Sequence, residues 1–298
     1  MRRRFVTLDV FTDRRFAGNP LAVVLDAQGL DPAAMQAIAR EFNFPETVFV
    51  LPPRDPAHRA AVRIFTPAAE MPFAGHPTVG SAVLLARLDG GATRDLVLEE
   101  GIGPVRCRTQ MIDADRGRAV FDLPRLPAEN GSPPAVDAIA AALGLDQDDI
   151  GFRGFVPARW SAGNPLCFVP IRSRAAIARA RPDLGRFDQT FAIGGRALAY
   201  LFCGEASEPG HDFHARMFAP GLGVPEDPAT GSAAAAFAGL LATQGGFADG
   251  DHTVTIEQGY EMGRPSLMEL SFTMRGGTLA DAAVGGGAVV VTEGMIEA

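Results

Sequence analysis

The stretch RIFTPAAEMPFAGHPTVGSAVLLARL (residues 63–88) has an echo in RMFAPGLGVPEDPATGSAAAAFAGLL (residues 216–241), and the pair decides the fold. Both run from a strand-like segment through Phe-x-Pro into a loop rich in Pro and Gly. Gly-Ser-Ala then opens a helix. Aligned on those helix starts, His76 pairs with Asp227, Pro77 with Pro228 and Ser81 with Ser232. Over 79–85 and 233–241 the two helices are apolar nearly all the way round. A helix with no polar face has to be buried on every side.

A shorter echo points the same way. Ala17-Gly18-Asn19-Pro20-Leu21 leads into Ala22-Val23-Val24, and Ala162-Gly163-Asn164-Pro165-Leu166 leads into Cys167-Phe168-Val169. Each reads as a tight turn feeding a buried strand. Two echoes in the same order, at nearly the same separation, imply a duplicated unit. Short runs rich in Val, Ile and Phe supply strands at 5–11, 47–51, 60–65, 105–109, 197–203, 253–258, 267–274 and 288–292. Amphipathic helices are expected over 31–42 and 134–143, the first capped by Asp31 with Pro32 in its first turn. The expected fold is α+β: two pseudo-symmetric domains, each a curled, mostly antiparallel sheet or barrel around a central apolar helix. The boundary falls in the proline-rich stretch 124–134, giving a first half-domain at 1–126, completed by the C-terminal strand 279–298, and a second at 130–278.

Composition narrows the chemistry. A chain of 298 residues buries an ample core without disulfides or metals. Its formal charge of −8 argues against nucleic acid or an anionic membrane as partner. All 27 basic residues are arginine, which removes Schiff-base, pyridoxal-phosphate and Walker-lysine chemistry. Cys107, Cys167 and Cys203 form no C-x-x-C pair, and Cys107 and Cys167, in strand-like runs, read as small buried hydrophobes. The start Met1-Arg2-Arg3-Arg4 is followed by Asp9, Asp13, Arg14 and Arg15, which break up any signal-peptide core. No apolar run is long enough to span a membrane, so a cytoplasmic protein is expected.

Each central helix begins just after a Gly/Pro loop, so its first N–H groups and positive dipole end are open to an anion, above all a carboxylate. In a pseudo-twofold arrangement the two starts are expected to face a common cleft. The polar residues there are His76, Thr78, Asp227, Thr230 and Ser232, any hydroxyl or Asp among them being also a candidate N-cap.

The segments GNPLAVV (18–24), PETVFV (45–50), GHPTVGSA (75–82), EDPATGSA (226–233) and QGYEMGRPS (258–266) span nearly the whole chain in order. In these the chain resembles the PhzF family of phenazine-biosynthesis-like isomerases, which is related in fold to diaminopimelate epimerase. The resemblance implies a proton transfer with no metal and no organic cofactor. It puts the catalytic glutamate at Glu46, the active-site His and Asp at His76 and Asp227, and the helix-start serine at Ser232. Asn19, Gly75, Pro77, Thr78, Thr230 and Gly231 fall at substrate-contacting positions. Many relatives have a small polar residue where this chain has Pro45. A homodimer is implied by the resemblance alone. Related epimerases swap a proton between two cysteines at the helix starts; this chain has Ala74 and Asp227 at those approximate places. A single carboxylate serving both carbons, a 1,3-hydrogen shift on a small carboxylate, fits better.

The residues around Glu46 are compatible with that role, although without the resemblance Glu46 reads more readily as a solvent-facing glutamate at a strand end. It stands between an apolar helix and an apolar strand, where burial raises a carboxyl pKa and suits it to accept and donate a proton. An epimerase or lyase using Glu46 with Asp227, and a non-catalytic binding protein, remain as other readings. His211 and His214 form an H-x-x-H whose strand spacing sends the rings to opposite faces with no acidic cluster nearby, so no metal is expected. Gly285-Gly286-Gly287 reads as a turn before the last strand, and 146–149 as a solvated helix end.

Overall fold

The computed structural model describes residues 1–91, 93–222 and 224–298. The chain divides into two compact units, Met1–Pro124 with Val284–Ala298, and Arg125–Ala283. The junction thus lies at the start of the proline-rich stretch, and the chain passes back into the first unit at Ala283/Val284.

The first unit contains β1 (Arg2–Val10), β2 (Asn19–Val24), α1 (Pro32–Phe42), β3 (Glu46–Leu51), β4 (Ala60–Phe65), β5 (Glu70–Met71), α2 (Gly75–Leu88), β6 (Arg94–Glu100), β7 (Gly103–Met111) and β8 (Arg116–Asp122). The second contains β9 (Ala128–Glu129), α3 (Val136–Leu143), β10 (Ala158–Ser161), β11 (Pro165–Pro170), α4 (Arg174–Arg179), α5 (Leu184–Phe191), β12 (Ala192–Ile193), β13 (Arg196–Ala197), β14 (Ala199–Cys203), β15 (Phe213–Ala219), β16 (Val224–Asp227), α6 (Gly231–Gln244), β17 (Gly250–Gln258) and β18 (Ser266–Arg275). The final strand, β19 (Thr278–Glu297), ends in the first unit.

In the first unit the pairings run β1–β2–β3–β4–β6–β7–β8–β19 and return from β19 to β1, so the sheet closes on itself. Closure leaves no edge to protect. Two of its pairs are parallel, β2 with β3 and β4 with β6, and each needs a crossover. Helix α1 makes the first crossover on the outside, with Asp31 accepting from the Ala34 N–H, Pro32 in the first turn and Met35, Ile38 and Ala39 buried. Helix α2 makes the second through the inside, packing on β1, β2, β3, β6, β7 and β8. Its residues 75–86 are all buried, as a helix without a polar face requires.

The second unit repeats the scheme. Strands β11 and β14 are parallel with α4 and α5 between them, and β15 and β17 are parallel with α6 between them. The pairings run β9–β10–β11–β14–β15–β17–β18. Helix α6 packs on β9 and β10 at one end of that run and β18 at the other, so the sheet wraps around it. The α+β fold read from the two echoes is the fold observed.

Contact between each helix and its sheet is close enough to demand glycine. A Cβ on Gly80 of α2 would lie 2.6 Å from Leu21 Cδ2 and 2.8 Å from Val10 Cγ2. A Cβ on Gly239 of α6 would lie 2.3 Å from the Trp160 ring.

Three sequence expectations are corrected here. Gly-Ser-Ala opens α6 but not α2, which starts at Gly75 and carries Gly80-Ser81-Ala82 inside it. Pro77 is compatible with the earlier start because the first turn of a helix needs no N–H donors. The triplet Gly285–Gly287 lies within β19 and makes no turn. Its glycines admit neighbours: a Cβ on Gly285 would sit 2.5 Å from Val120 Cγ2, and one on Gly287 2.7 Å from the Thr12 carbonyl oxygen. The run at 146–149 folds into a short 3-10 turn in which Asp149 pairs with Arg179 at 2.9 Å. Cys107, Cys167 and Cys203 are buried free thiols, and burial pushes all three up. Among the described residues no helix is long and apolar enough to cross a membrane.

The Gly239 contact has a measurable consequence. Gly239→Ala is expected to destabilise the fold by about 1–3 kcal/mol, the usual cost of overpacking. A urea-denaturation midpoint no lower than that of the native protein would contradict it.

Candidate active site

In the first unit the turn before β2 sets the geometry. Gly18 takes φ +64°, and a Cβ there would meet the Val10 carbonyl oxygen at 2.3 Å, so only glycine fits. Asn19 follows, fully buried and opposite Val10 across β1 and β2. The next residue, Pro20, offers its carbonyl to the His76 imidazole. Parallel pairing then sets Leu21 of β2 against Glu46, the first residue of β3.

His76 is the second residue of α2 and is 4% exposed, while the Glu46 side chain is 17% exposed. Glu46 Oε2 lies 3.4 Å from His76 Nε2. Among the described residues that nitrogen has no hydrogen-bond partner, which leaves Nδ1 as the donor to Pro20. Burial holds the imidazole near pKa 3 against the opposing pull of the Pro20 carbonyl, so the ring is neutral at ordinary pH. A neutral ring with its proton on Nδ1 turns a bare lone pair toward Glu46.

The start of α2 carries Gly75, His76, Pro77 and Thr78 in its first four positions, behind an Ala74 cap that has no capping side chain. Thr78 is therefore no N-cap. Its Oγ1 lies 2.8 Å from the Ala74 carbonyl oxygen and 2.7 Å from Glu100 Oε1. Glu100, the last residue of β6, is buried, and its second oxygen has no hydrogen-bond partner. Burial pushes its carboxyl up to about 8, against the Thr78 contact.

In the second unit Asp227 ends β16 opposite Met217 of β15. Thr230 is the cap residue of α6, with Gly231 and Ser232 in the first two helical positions. The Thr230 hydroxyl does not cap; it donates to Asp227 Oδ2 at 2.6 Å. Gln258, fully buried at the end of β17, ties these residues together. Its Oε1 accepts from the Thr230 N–H at 3.2 Å, and its Nε2 donates to the Asp227 carbonyl at 2.7 Å and to Thr230 Oγ1 at 3.0 Å.

The candidate residues thus gather as two sets. Asn19, Glu46, Gly75, His76, Pro77 and Thr78 belong to the first unit, and Asp227, Thr230, Gly231 and Ser232 to the second. Glu100 and Gln258 escaped the sequence reading. The available signal was shared: each ends the strand after a central helix and is followed by a glycine.

The reading of His211 and His214 is corrected. Both rings meet Glu257, His211 Nδ1 at 2.7 Å and His214 Nδ1 at 3.1 Å, and His214 Nε2 meets Glu261 at 3.0 Å. His211 precedes β15, so strand alternation does not govern its direction, and parallel pairing sets His214 against Glu257 of β17. Burial opposes charge on His214, but bonds to Glu257 and Glu261 outweigh it and raise its pKa. Among the described residues no group of His, Cys, Asp and Glu is arranged to hold a metal ion.

Comparison with known proteins extends over the full chain. The family model described as phenazine biosynthesis-like protein (PhzC-PhzF) matches residues 8–294. An uncharacterized isomerase of Mesorhizobium japonicum is 50% identical over 99% of this chain and 98% of its own. The trans-2,3-dihydro-3-hydroxyanthranilate isomerase of Pseudomonas fluorescens is 37% identical over 98% of each chain. The crystal structure of a PhzF-family phenazine biosynthesis protein of Bacillus anthracis superposes with a TM-score of 0.88 at 26% identity, covering 100% of both chains.

Neutral His76 predicts an acid limb in stability. Its folded pKa of about 3 lies below the ordinary 6.5, so unfolding takes up a proton between these values and stability falls as pH falls through that window. Urea midpoints measured across the window should fall more steeply for the native protein than for His76→Asn. Parallel curves would show that His76 is not held neutral.

Proposed function

The chain belongs to the PhzF family and is an isomerase; from that premise we propose that Glu46 moves a proton between two carbons of a small carboxylate substrate. The observation carrying the proposal is the contact of Glu46 Oε2 with the bare Nε2 of neutral His76 at 3.4 Å. Glu46 is partly shielded yet reachable, as a group that meets substrate has to be.

In the first step the Glu46 carboxylate takes a C–H proton, and the electron pair left behind spreads into the adjacent π system of the substrate. The new Glu46 O–H has an acceptor waiting in His76 Nε2, so the contact becomes attractive once the proton arrives. His76 cannot hold that proton itself at ordinary pH, because burial keeps the ring neutral. Glu46 then returns the proton at the far end of the π system. One C–H bond breaks, another forms, the double bond moves, and nothing is oxidised or reduced. At the start of α2 the Gly75 and His76 N–H groups have no intrahelical partner, which suits them to a substrate carboxylate or to charge developing during the shift.

The relatives' names supply the first compound to try. Incubation in D₂O with trans-2,3-dihydro-3-hydroxyanthranilate, followed by other cyclic and amino-acid-like carboxylates, should give deuterium incorporation with a shifted double bond. Glu46→Gln is expected to lower the rate by about 10²–10⁴-fold, the range for loss of a general acid–base. Asp227→Asn in the same assay tests the role the family pattern gives Asp227. Equal incorporation by native protein and Glu46→Gln on an accepted substrate would overturn Glu46 as the base. Inversion at a single carbon without a shifted double bond would replace the isomerisation by epimerisation.

A further inference from the structure

Two buried side chains, one in each unit, do the same work with different chemistry. Glu100 ends β6 and Gln258 ends β17, the strands that follow the central helices. Each reaches a threonine hydroxyl at the start of its helix, Glu100 to Thr78 at 2.7 Å and Gln258 to Thr230 at 3.0 Å. Each is followed by a glycine pressed on a proline of the loop that leads into the helix. A Cβ on Gly101 would lie 2.8 Å from Pro72 Cα, and one on Gly259 2.6 Å from the Pro228 carbonyl oxygen. In the second unit the proton order is fixed by chemistry. The Gln258 amide N–H donates to Thr230 Oγ1, which passes its own proton to Asp227.

The first unit has the same chain of contacts with one proton in question. Thr78 Oγ1 is in contact with the Ala74 carbonyl oxygen at 2.8 Å and with Glu100 Oε1 at 2.7 Å. A hydroxyl has one proton to give, and the Ala74 carbonyl has none. One proton cannot make two short, well-aligned bonds at once, so both contacts are two-centre hydrogen bonds only when Glu100 brings a proton of its own.

We propose that Glu100 is a protonated carboxylic acid, the counterpart of Gln258, which donates to Thr78 and so fixes the first turn of α2 that carries His76. It is a positioning residue and does not meet substrate. Its burial agrees, since that pushes the carboxyl up to about 8. Among the described residues, the groups facing it bring no compensating charge. On β7 stands Cys107, whose thiol is pushed up by burial and by Glu100 itself. On α2 stand Thr78 and, two residues earlier, neutral His76. Across β4 the residues paired with the end of β6 are Ala60 and Ala61. Ionisation would put a charge among these and break the bond to Thr78, loosening the turn.

The test needs no substrate, so its outcome is independent of the role proposed for Glu46. Infrared difference spectra of the native protein in D₂O should show the C=O band of a protonated carboxylic acid at neutral pH. The band should disappear with a midpoint near 8 and be missing from Glu100→Gln. Over the same titration the His76 imidazole resonances should shift in the native protein and stay still in Glu100→Gln. Stability follows with the opposite sign to His76. The folded pKa of Glu100 lies above the ordinary 4.5, so stability falls as pH rises from 4.5 to about 8, and Glu100→Gln removes that slope. Absence of the band at neutral pH would overturn the proposal outright. A band that titrates while His76 stays still would overturn the positioning role. If Glu100→Gln fails to fold, selective ¹³C labelling of glutamate in the native protein decides by the same titration.

Discussion

Burial of a helix on every side is the constraint from which the rest of this structure follows. Helices α2 and α6 have no polar face, so each has to be enclosed by its own sheet. Enclosure is achieved by making the helix a crossover between two parallel strands of that sheet, β4 and β6 in one unit and β15 and β17 in the other. A crossover laid outside would leave the apolar helix in water; laid inside, it becomes the core. The glycines at 80 and 239 then follow, because the helix axis comes too close to the strands for any Cβ there.

An enclosed helix still exposes the N–H groups of its first turn to whatever lies beside them, and here no side chain caps either one. Thr78 and Thr230, the hydroxyls that stand ready to cap, are instead drawn sideways by Glu100 and Gln258. The helix starts therefore remain open as donors while the residues around them are held from behind by buried groups. Such an arrangement costs capping stability of about 0.5–2 kcal/mol at each helix. The turns are held by these bonds while their first N–H groups are left without a capping side chain.

Much of this was legible in the residues. Asp31 and Pro32 mark the start of α1 because capping is local chemistry that neighbours cannot override. The repeated segments and the all-apolar helices give the duplicated fold because burial on all sides admits few solutions. What was lost depended on long-range contact. Gly285–Gly287 reads as a turn, since glycine signals positive φ and close approach alike, and only the neighbouring Val120 and Thr12 separate the two. His211 and His214 look divergent until parallel pairing brings Glu257 of β17 beside them both. Glu46, His76 and Asp227 were found through family motifs. Glu100 lies in none of those motifs, and its one sequence signal, a strand end followed by glycine, says nothing of burial or charge.

Two buried ionisable groups of the first unit are held neutral by the same burial. Burial disfavours the charged form of any group, so it lowers His76 and raises Glu100, and both are neutral at the same pH. Glu46 stands beside one of these two groups, His76, in the first turn of α2. Neutral His76 turns a lone pair, not a charge, toward Glu46. For the acid–base role proposed for Glu46, such a neighbour can accept a hydrogen bond whenever Glu46 is protonated. A charged histidine at the same 3.4 Å would instead favour Glu46 as a carboxylate in a salt bridge.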